Sequence, residues 1–245
     1  MKDNFSAQSK LYSRFRPTYP NTLLDYICDF VAKKDLAWDC ATGNGQVALQ
    51  IAKDFKKVIA TDISKEQIKN ATKHDNIIYK IEQAENSSLK NASVDLVIVA
   101  QAIHWFDFDS FYKEVKRVLR PNGIIAVIGY GFVQTENPKL TMLIRHFYED
   151  IVGPYWDEER KYVDDHYVTI PFPFEEIAIP KFEMKYKWTS AHLLGYLESW
   201  SAVAHYRRKN KSNPVDLIRN QLEKMFSNGR PVEVSFGIIG RMGKI

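Results

Sequence analysis

The chain predicts an α/β protein: a doubly wound, mostly parallel seven-stranded sheet with helices inserted as a cover. Three observations carry that expectation. Five short runs rich in Val and Ile are spaced through residues 36–130 and alternate little, as strands covered on both faces should. Helical patterns fall between most of them, and strand–helix alternation with short links winds into a parallel sheet. Two later runs, 181–188 and 232–239, alternate enough to pair antiparallel and close one edge of the same sheet.

Taken in order, Leu23, Leu24, Ile27, Phe30 and Val31 mark one face of a helix before the first strand. The parallel strands are then "LAWD" (36–39), "KVIAT" (57–61), "IIYKI" (77–81), "VDLVIVA" (94–100) and "IIAVIGY" (124–130). Ser64-Lys65-Glu66-Gln67 is a capping box that opens the helix after the second strand. Phe111, Val115, Val118 and Leu119 line the helix after the fourth, and Pro121-Asn122-Gly123 ends it. Near residue 131 the character changes: prolines cluster in "IPFPF" (170–174) and aromatics become dense. A helix from about Ser190 carries Leu193, Leu194, Leu197, Trp200 and Ala204 on one face. Another takes Asn213 as its N-cap, Pro214 at its first position and Asn228-Gly229 at its end.

Bulk properties narrow the function classes. With 245 residues, 45% hydrophobic and 26% charged, the chain can bury one large core. The formal charge of +4 is mild, and the densest basic stretch, "RRKNK" (207–211), reads as a solvated helix end, so nucleic acid is not an expected partner. Cys28 and Cys40 are too few for a disulfide framework or a structural zinc site and fit a reducing compartment. His166, His192 and His205 have no metal-ligand spacing, and no metal is expected. "MKDNFSAQSK" is polar and no long apolar run follows, so we expect a cytoplasmic protein that spans no membrane, as a monomer or homodimer.

The stretch "WDCATGNGQVA" (38–48) allows two cofactors. From Gly43 it spells G-x-G-x-x-A, a dinucleotide fingerprint, which would make the chain an NAD-dependent oxidoreductase. Ligands in open α/β sheets sit at the carboxyl ends of the strands, and two glycines let backbone approach a ligand there. Asp39 separates the readings. A carboxylate a few ångströms from a pyrophosphate repels it by roughly a few kcal/mol at an effective dielectric near 20. S-adenosylmethionine presents an ammonium and a sulfonium instead, and both suit Asp39. Asp62, ending the second strand, can accept both ribose hydroxyls, since Ser64 already caps the next helix. Ala84 and Glu85, ending the third, can meet an adenine edge.

With these residues in place the chain resembles the class I S-adenosylmethionine-dependent methyltransferases, whose fold is Rossmann-like. Their D-x-G-x-G-x-G pattern stands here as Asp39-Cys40-Ala41-Thr42-Gly43-Asn44-Gly45, with Ala41 in place of the first glycine. The resemblance covers about residues 35–130, including "RVLRPNGIIAVIGY" (117–130). It implies that Asp39, Ala41, Thr42, Gly43, Gly45 and Gln46 hold the cofactor, with Asp62, Ile63, Ala84 and Glu85 on its nucleoside. Ala100 and Gln101, at the end of the fourth strand, would contact it by backbone. "YSRFRPTYP" (12–20), "HWFD" (104–107), "GPYW" (153–156) and "SWSA" (199–202) further resemble the trans-aconitate methyltransferase-like group. That likeness implies an N-terminal segment, within residues 1–34, folded over the cofactor with Tyr12 and Arg16 near its carboxylate. Residues 35–130 would be the cofactor core, and 131–245 an acceptor-site cover plus the last strands.

Methyl transfer from a sulfonium mainly requires alignment and desolvation. "AQAIHWFD" (100–107) follows strand four into the crevice, so His104 and Trp105 would face the acceptor. His104 could be a general base, a hydrogen-bond donor to an ionised carboxylate, or an ordinary packed histidine. Asp107 and Asp109 read as helix caps. Trp200 could wall an acceptor pocket, although its helical spacing also suits core. A small carboxylic acid would be the acceptor met by cations, for which Arg16, Arg207 and Arg208 are candidates. An RNA or other macromolecular acceptor is the alternative.

Overall fold

The computed structural model describes residues 14–226 and 229–245. Tyr12, assigned to the cofactor on sequence grounds, and Asn228, assigned to a helix end, lie outside the described residues. Helix α1 (Asn21–Asp29) buries Leu23, Leu24 and Ile27 on one face; Phe30, expected to join them, follows its last turn and is 41% exposed.

Five parallel strands follow: β1 (Leu36–Cys40), β2 (Lys57–Asp62), β3 (Ile77–Ile81), β4 (Val94–Ala100) and β5 (Leu119–Tyr130). Between them run α2 (Gln46–Ile51), α3 (Lys65–Lys69) and α4 (Phe108–Val118). Ser64 accepts from the Gln67 amide and Asp107 from the Ser110 amide, so these two caps form, while Asp109, also expected to cap, lies inside the first turn of α4. Phe111, Val115 and Val118 on α4 are buried, which turns one face of that helix onto the sheet. One detail differs from expectation. Pro121-Asn122-Gly123 does not stop a helix but forms a turn within β5. Asn122 there is left-handed (φ 67°), and pairing with β4 jumps from Val94–Leu119 to Leu96–Ile124.

The remaining strands are β6 (Gln134–Thr135), β7 (Glu175–Ile177), β8 (Glu183–Trp188) and β9 (Val232–Lys244). The sheet runs β3-β2-β1-β4-β5-β9, with β9 antiparallel to β5, and β6, β7 and β8 antiparallel to β9. Seven strands have five residues or more, matching the expected seven; β6 and β7 are short additions. Strand order reverses between β1 and β4, so a crevice opens at their carboxyl ends.

The second half of the chain adds α5 (Pro138–His146), α6 (Lys161–Asp164), α7 (Ser190–Glu198), α8 (Ser201–Asn210) and α9 (Asp216–Lys224). The single helix expected from Ser190 is two. Ser199 ends α7, its hydroxyl donating to the Tyr196 carbonyl, and Trp200 is extended (ψ 140°) before α8 begins. Asn213 accepts from the Val215 amide and so caps a Pro214–Val215 turn, one turn ahead of α9. No helix among the described residues is long and apolar enough to cross a membrane.

Candidate active site

Strand β1 delivers Asp39 to the crevice floor, where it is 1% exposed. The chain then turns tightly through Ala41 (φ 56°), Gly43 (φ 57°) and Gly45 (φ 84°) into α2. The two glycines serve different needs. A side chain on Gly45 would strike the Tyr79 hydroxyl, whereas one on Gly43 would meet no protein atom within 4 Å and would fill the cavity instead. Ala41 adopts the left-handed region that glycine favours, which explains the glycine in the wider pattern and makes Ala41 a point of strain.

Asp39 Oδ2 accepts from the Thr42 hydroxyl at 2.5 Å and the Ala48 amide at 2.9 Å, while Oδ1 is buried with no hydrogen-bond partner among the described residues. Burial pushes its carboxyl up to about 7; the two hydrogen bonds lower it, and the charge of Asp62 raises it further. An unpartnered buried acceptor costs about 1–3 kcal/mol, so this oxygen is set to receive a donor, best of all a cation. Asp62, ending β2, accepts from the Gly43 amide with Oδ2 and from the Ser64 amide with Oδ1, both at 2.8 Å. Its carboxylate thus ties the glycine turn to the entry of α3.

These groups face a cavity of about 830 Å³. Of the cofactor residues expected from sequence, Arg16, Asp39, Ala41, Thr42, Gly43 and Gln46 line it, as do Asp62, Ile63, Ala100 and Gln101. Three expected residues do not. Gly45 packs on Tyr79, Ala84 is buried in the core, and Glu85 accepts from the Asp107 amide at 3.3 Å. Tyr19, Gln67, Ala102 and Tyr130 line the cavity without having been expected there. Tyr130 ends β5, and its place at the carboxyl end of a crevice strand was the signal that could have found it. Arg16 donates to the Tyr130 hydroxyl (3.2 Å) and the Ser199 carbonyl (2.9 Å), with its guanidinium over the Tyr196 ring at 5.5 Å. The segment before α1 is thereby fastened across the cavity to β5 and α7. Gln101 (φ 54°) accepts from the Tyr130 amide at 2.8 Å, clamping the ends of β4 and β5 together.

A second cleft of about 430 Å³ shares Arg16, Gln101 and Trp105 with the first. His104, Trp156, Asp157, Arg160 and Ser201 complete its wall. His104 is 6% exposed, with Nδ1 3.3 Å from the Tyr167 hydroxyl. Burial, then the nearby Arg160 charge, pushes its pKa down to about 3. The imidazole is therefore held neutral and weakly basic, which counts against the general-base reading among its three.

Two further expectations fail here. Trp200 lines neither cavity; at 4% exposed it packs behind Trp156 (5.5 Å) and against Tyr148 and Phe147, because the break between α7 and α8 turns it into the core. Arg207 is 3.5 Å from Glu198, and Arg208 is exposed on α8, so neither reaches the cleft. Arg16, the third candidate, does reach it, and it is joined there by Arg160, which no local motif announces.

An acid-terminated first strand, a glycine turn, a second acid and a switch-point cavity beside an aromatic cleft define a nucleotide-cofactor enzyme with an adjoining second site. The comparisons say which. A methyltransferase-domain family matches residues 38–127. A Dictyostelium discoideum protein with a methyltransferase name is 38% identical over 96% of this chain and 92% of its own length. A Saccharomyces cerevisiae protein named as an S-adenosylmethionine-dependent methyltransferase is 26% identical over 91% of this chain and 89% of its own. A solved structure described as a type II methyltransferase from Anaeromyxobacter dehalogenans superposes with a TM-score of 0.86 at 36% identity, covering 94% of this chain and 98% of that one. The chain belongs to the class I S-adenosylmethionine-dependent methyltransferases, and the oxidoreductase alternative falls.

Proposed function

We propose that the chain transfers a methyl group from S-adenosylmethionine to a small-molecule acceptor, a carboxylic acid by our reading. The observation that carries it is the pair of adjoining cavities. One is floored by an unpartnered buried carboxylate oxygen, and the other holds two guanidiniums, Arg16 and Arg160, beside a neutral imidazole. The first cavity fits the cofactor: Asp39 Oδ1 would take its ammonium, the space over Gly43 would admit its amino-acid end, and Asp62 would meet its ribose. When bound, the cofactor supplies a methyl on a sulfonium, whose carbon–sulfur bond breaks as the acceptor's new bond forms.

The chain's own residues do the rest by placement. Trp105, common to both cavities, puts an aromatic wall where they meet, favourable to a cation. Arg16 closes the cofactor end, and the clamped β4–β5 ends hold that wall still. An ionised carboxylate surrenders no proton on methylation, so a site whose histidine is too weakly basic to take one suits it better than it suits a phenol or a protonated amine. The aromatic walls of the cleft, Trp105 and Trp156, favour a small acceptor over RNA. The likeness to the trans-aconitate group points the same way, and the free, buried Cys28 and Cys40 suit a reducing, cytoplasmic setting.

Calorimetry with S-adenosylmethionine and its demethylated product should show binding, and labelled methyl should pass to members of a carboxylic-acid panel. Labelling of RNA but of no acid would replace the acceptor we propose; binding of neither nucleoside at millimolar concentration would end the cofactor assignment.

A further inference from the structure

Resting on the assignment of the second cleft as the acceptor site, the geometry points to Arg160 as its specificity-determining residue: it grips an anionic group of the acceptor that is not the atom methylated. Arg160 lies in the turn before α6, with its side chain 19% exposed. Nε donates to the Tyr148 hydroxyl at 2.8 Å and lies 3.3 Å from Asp164 Oδ1; the Tyr148 hydroxyl in turn donates to Asp164 at 2.7 Å. The guanidinium carbon sits 4.9 Å from the Trp156 ring centre and 5.3 Å from that of Tyr148. One edge and one face are thus fixed. The terminal nitrogens make no hydrogen bond or ion pair with any other described residue, although the group lines the cleft.

A guanidinium carries five N–H donors in a planar fork, and here the four on the terminal nitrogens are unspent. A cation held this firmly at the wall of a small cleft is pre-organised for a bidentate oxyanion. Arg16, on the same wall, is a poorer candidate because both its terminal nitrogens already bond to Tyr130 and Ser199. Asp157 also lines the cleft but forms no ion pair with Arg160; it lies 3.8 Å from His205.

The gripped group is an anchor because a guanidinium bonded to both oxygens of a carboxylate draws electron density from them and blunts their attack. The methyl-accepting atom must then lie elsewhere on the acceptor, presented toward Trp105. The acceptor is bifunctional: a carboxylate or phosphate at the Arg160 end, a separate nucleophile at the cofactor end. Tyr148 is a positioning residue acting through Arg160.

The test uses the full chain saturated with S-adenosylhomocysteine for binding and labelled S-adenosylmethionine for transfer. Probes are succinate, glutarate and adipate, each against its monoamide, with 4-phosphonobutyrate to separate phosphate-like from carboxylate anchors. The wild-type complex should bind the best dianion roughly 30–100-fold tighter than its uncharged-end counterpart, the range for a charged hydrogen-bond pair. Arg160→Gln should abolish that preference while keeping wild-type affinity for S-adenosylhomocysteine. Arg160→Lys, the variant to rely on should Arg160→Gln not fold, should retain only part of it. Tyr148→Phe should raise KM for the dianion and leave kcat and cofactor affinity alone, a split that general loosening of the fold would not give. Unchanged discrimination in Arg160→Gln and Arg160→Lys, or no binding of any dianion by the wild-type complex, would overturn the anchor. Arg160-dependent binding without methyl transfer would instead keep the anchor and remove carboxylate methylation as the reaction.

Discussion

The two cavities that meet at Trp105 are built in opposite ways. The cofactor cavity is made largely of short stretches of chain, residues 39–47 except Cys40 and Gly45, 62–64 and 100–102, where three parallel strands end in the same direction. The acceptor cleft is made of side chains from distant parts of the chain: Arg16, His104, Trp156, Arg160 and Ser201. A wall of backbone is fixed once the sheet register is fixed, so it can be shared by enzymes with different acceptors. A wall of side chains changes with single substitutions, and its geometry depends on what stands behind it.

The largest effect should come from that backing. Trp200 packs against Trp156, Tyr148, Phe147 and Tyr196, so it supports the cleft wall from outside. Trp200→Ala should destabilise the protein by about 3–5 kcal/mol through the cavity it leaves. Trp200→Phe should cost less and leave acceptor choice unchanged. A Trp200→Phe enzyme of normal stability but altered acceptor preference would place Trp200 in the site after all.

On the cofactor side the most consequential single residue is Asp39. Asp39→Asn keeps the shape but removes the charge, and cofactor affinity should fall about 100-fold, as for loss of a charged hydrogen bond. Its pH behaviour gives an independent check. The folded carboxyl, at about 7, lies above its ordinary 3.8. Stability from this group is therefore fully present below about 4 and is lost as pH rises through about 7, by at most about 4 kcal/mol. Asp39→Asn escapes that loss and should melt higher than the wild type at pH 8 but not at pH 4. Cofactor affinity in the wild type should weaken up to about tenfold per unit below pH 7, because the proton must leave first. A pH-independent affinity would show that Asp39 does not meet the cofactor's cation.

The same contrast sets what could be read from sequence. The Val/Ile runs gave β1, β2 and β4 nearly to the residue because strands covered on both faces have few alternatives, and gave β3 as well although it is a half-exposed edge strand. Asp39 and Asp62 were legible because strand ends are positions in the chain, and the crevice lies at strand ends. The break at Ser199 was not legible: the spacing of Leu193, Leu197 and Trp200 suits one continuous helix, and only the Ser199 bond to Tyr196 closes it early. Arg160 was invisible for a different reason. Its selection over Arg207 and Arg208 is decided by Tyr148, Trp156 and Asp164, contacts that exist only once the cover has folded.

A middle-sized effect should separate His104 from an acid–base role. Its folded pKa, near 3, lies below the ordinary 6.5, so its stabilising contribution is present above about 6.5 and is lost as pH falls toward 3. With cofactor saturating, methyl transfer should show no inflection assignable to His104 between pH 5 and 8. His104→Asn, which keeps hydrogen-bonding ability, should lose no more than about tenfold in kcat, less than the 10²–10⁴-fold typical of a lost general base. An inflection near 6.5 that disappears in this variant would restore the base.

The smallest effect tests whether the backbone-built cavity is strained. Ala41 sits at φ 56°, in the turn between Asp39 and Gly43, where a Cβ costs roughly 1–2 kcal/mol that glycine avoids. Glycine returns part of that through the greater freedom of the unfolded chain, so the net gain for Ala41→Gly should be about 0.5–1 kcal/mol. For a chain of 245 residues this corresponds to a rise of roughly 1–4 °C in melting temperature. Cofactor affinity should hold or fall slightly, because the turn's amides are positioned by the Asp62 and Thr42 bonds as well as by its φ angles. A lower melting temperature would mean that the Ala41 methyl, at the cavity wall, contributes more by packing than its backbone conformation costs.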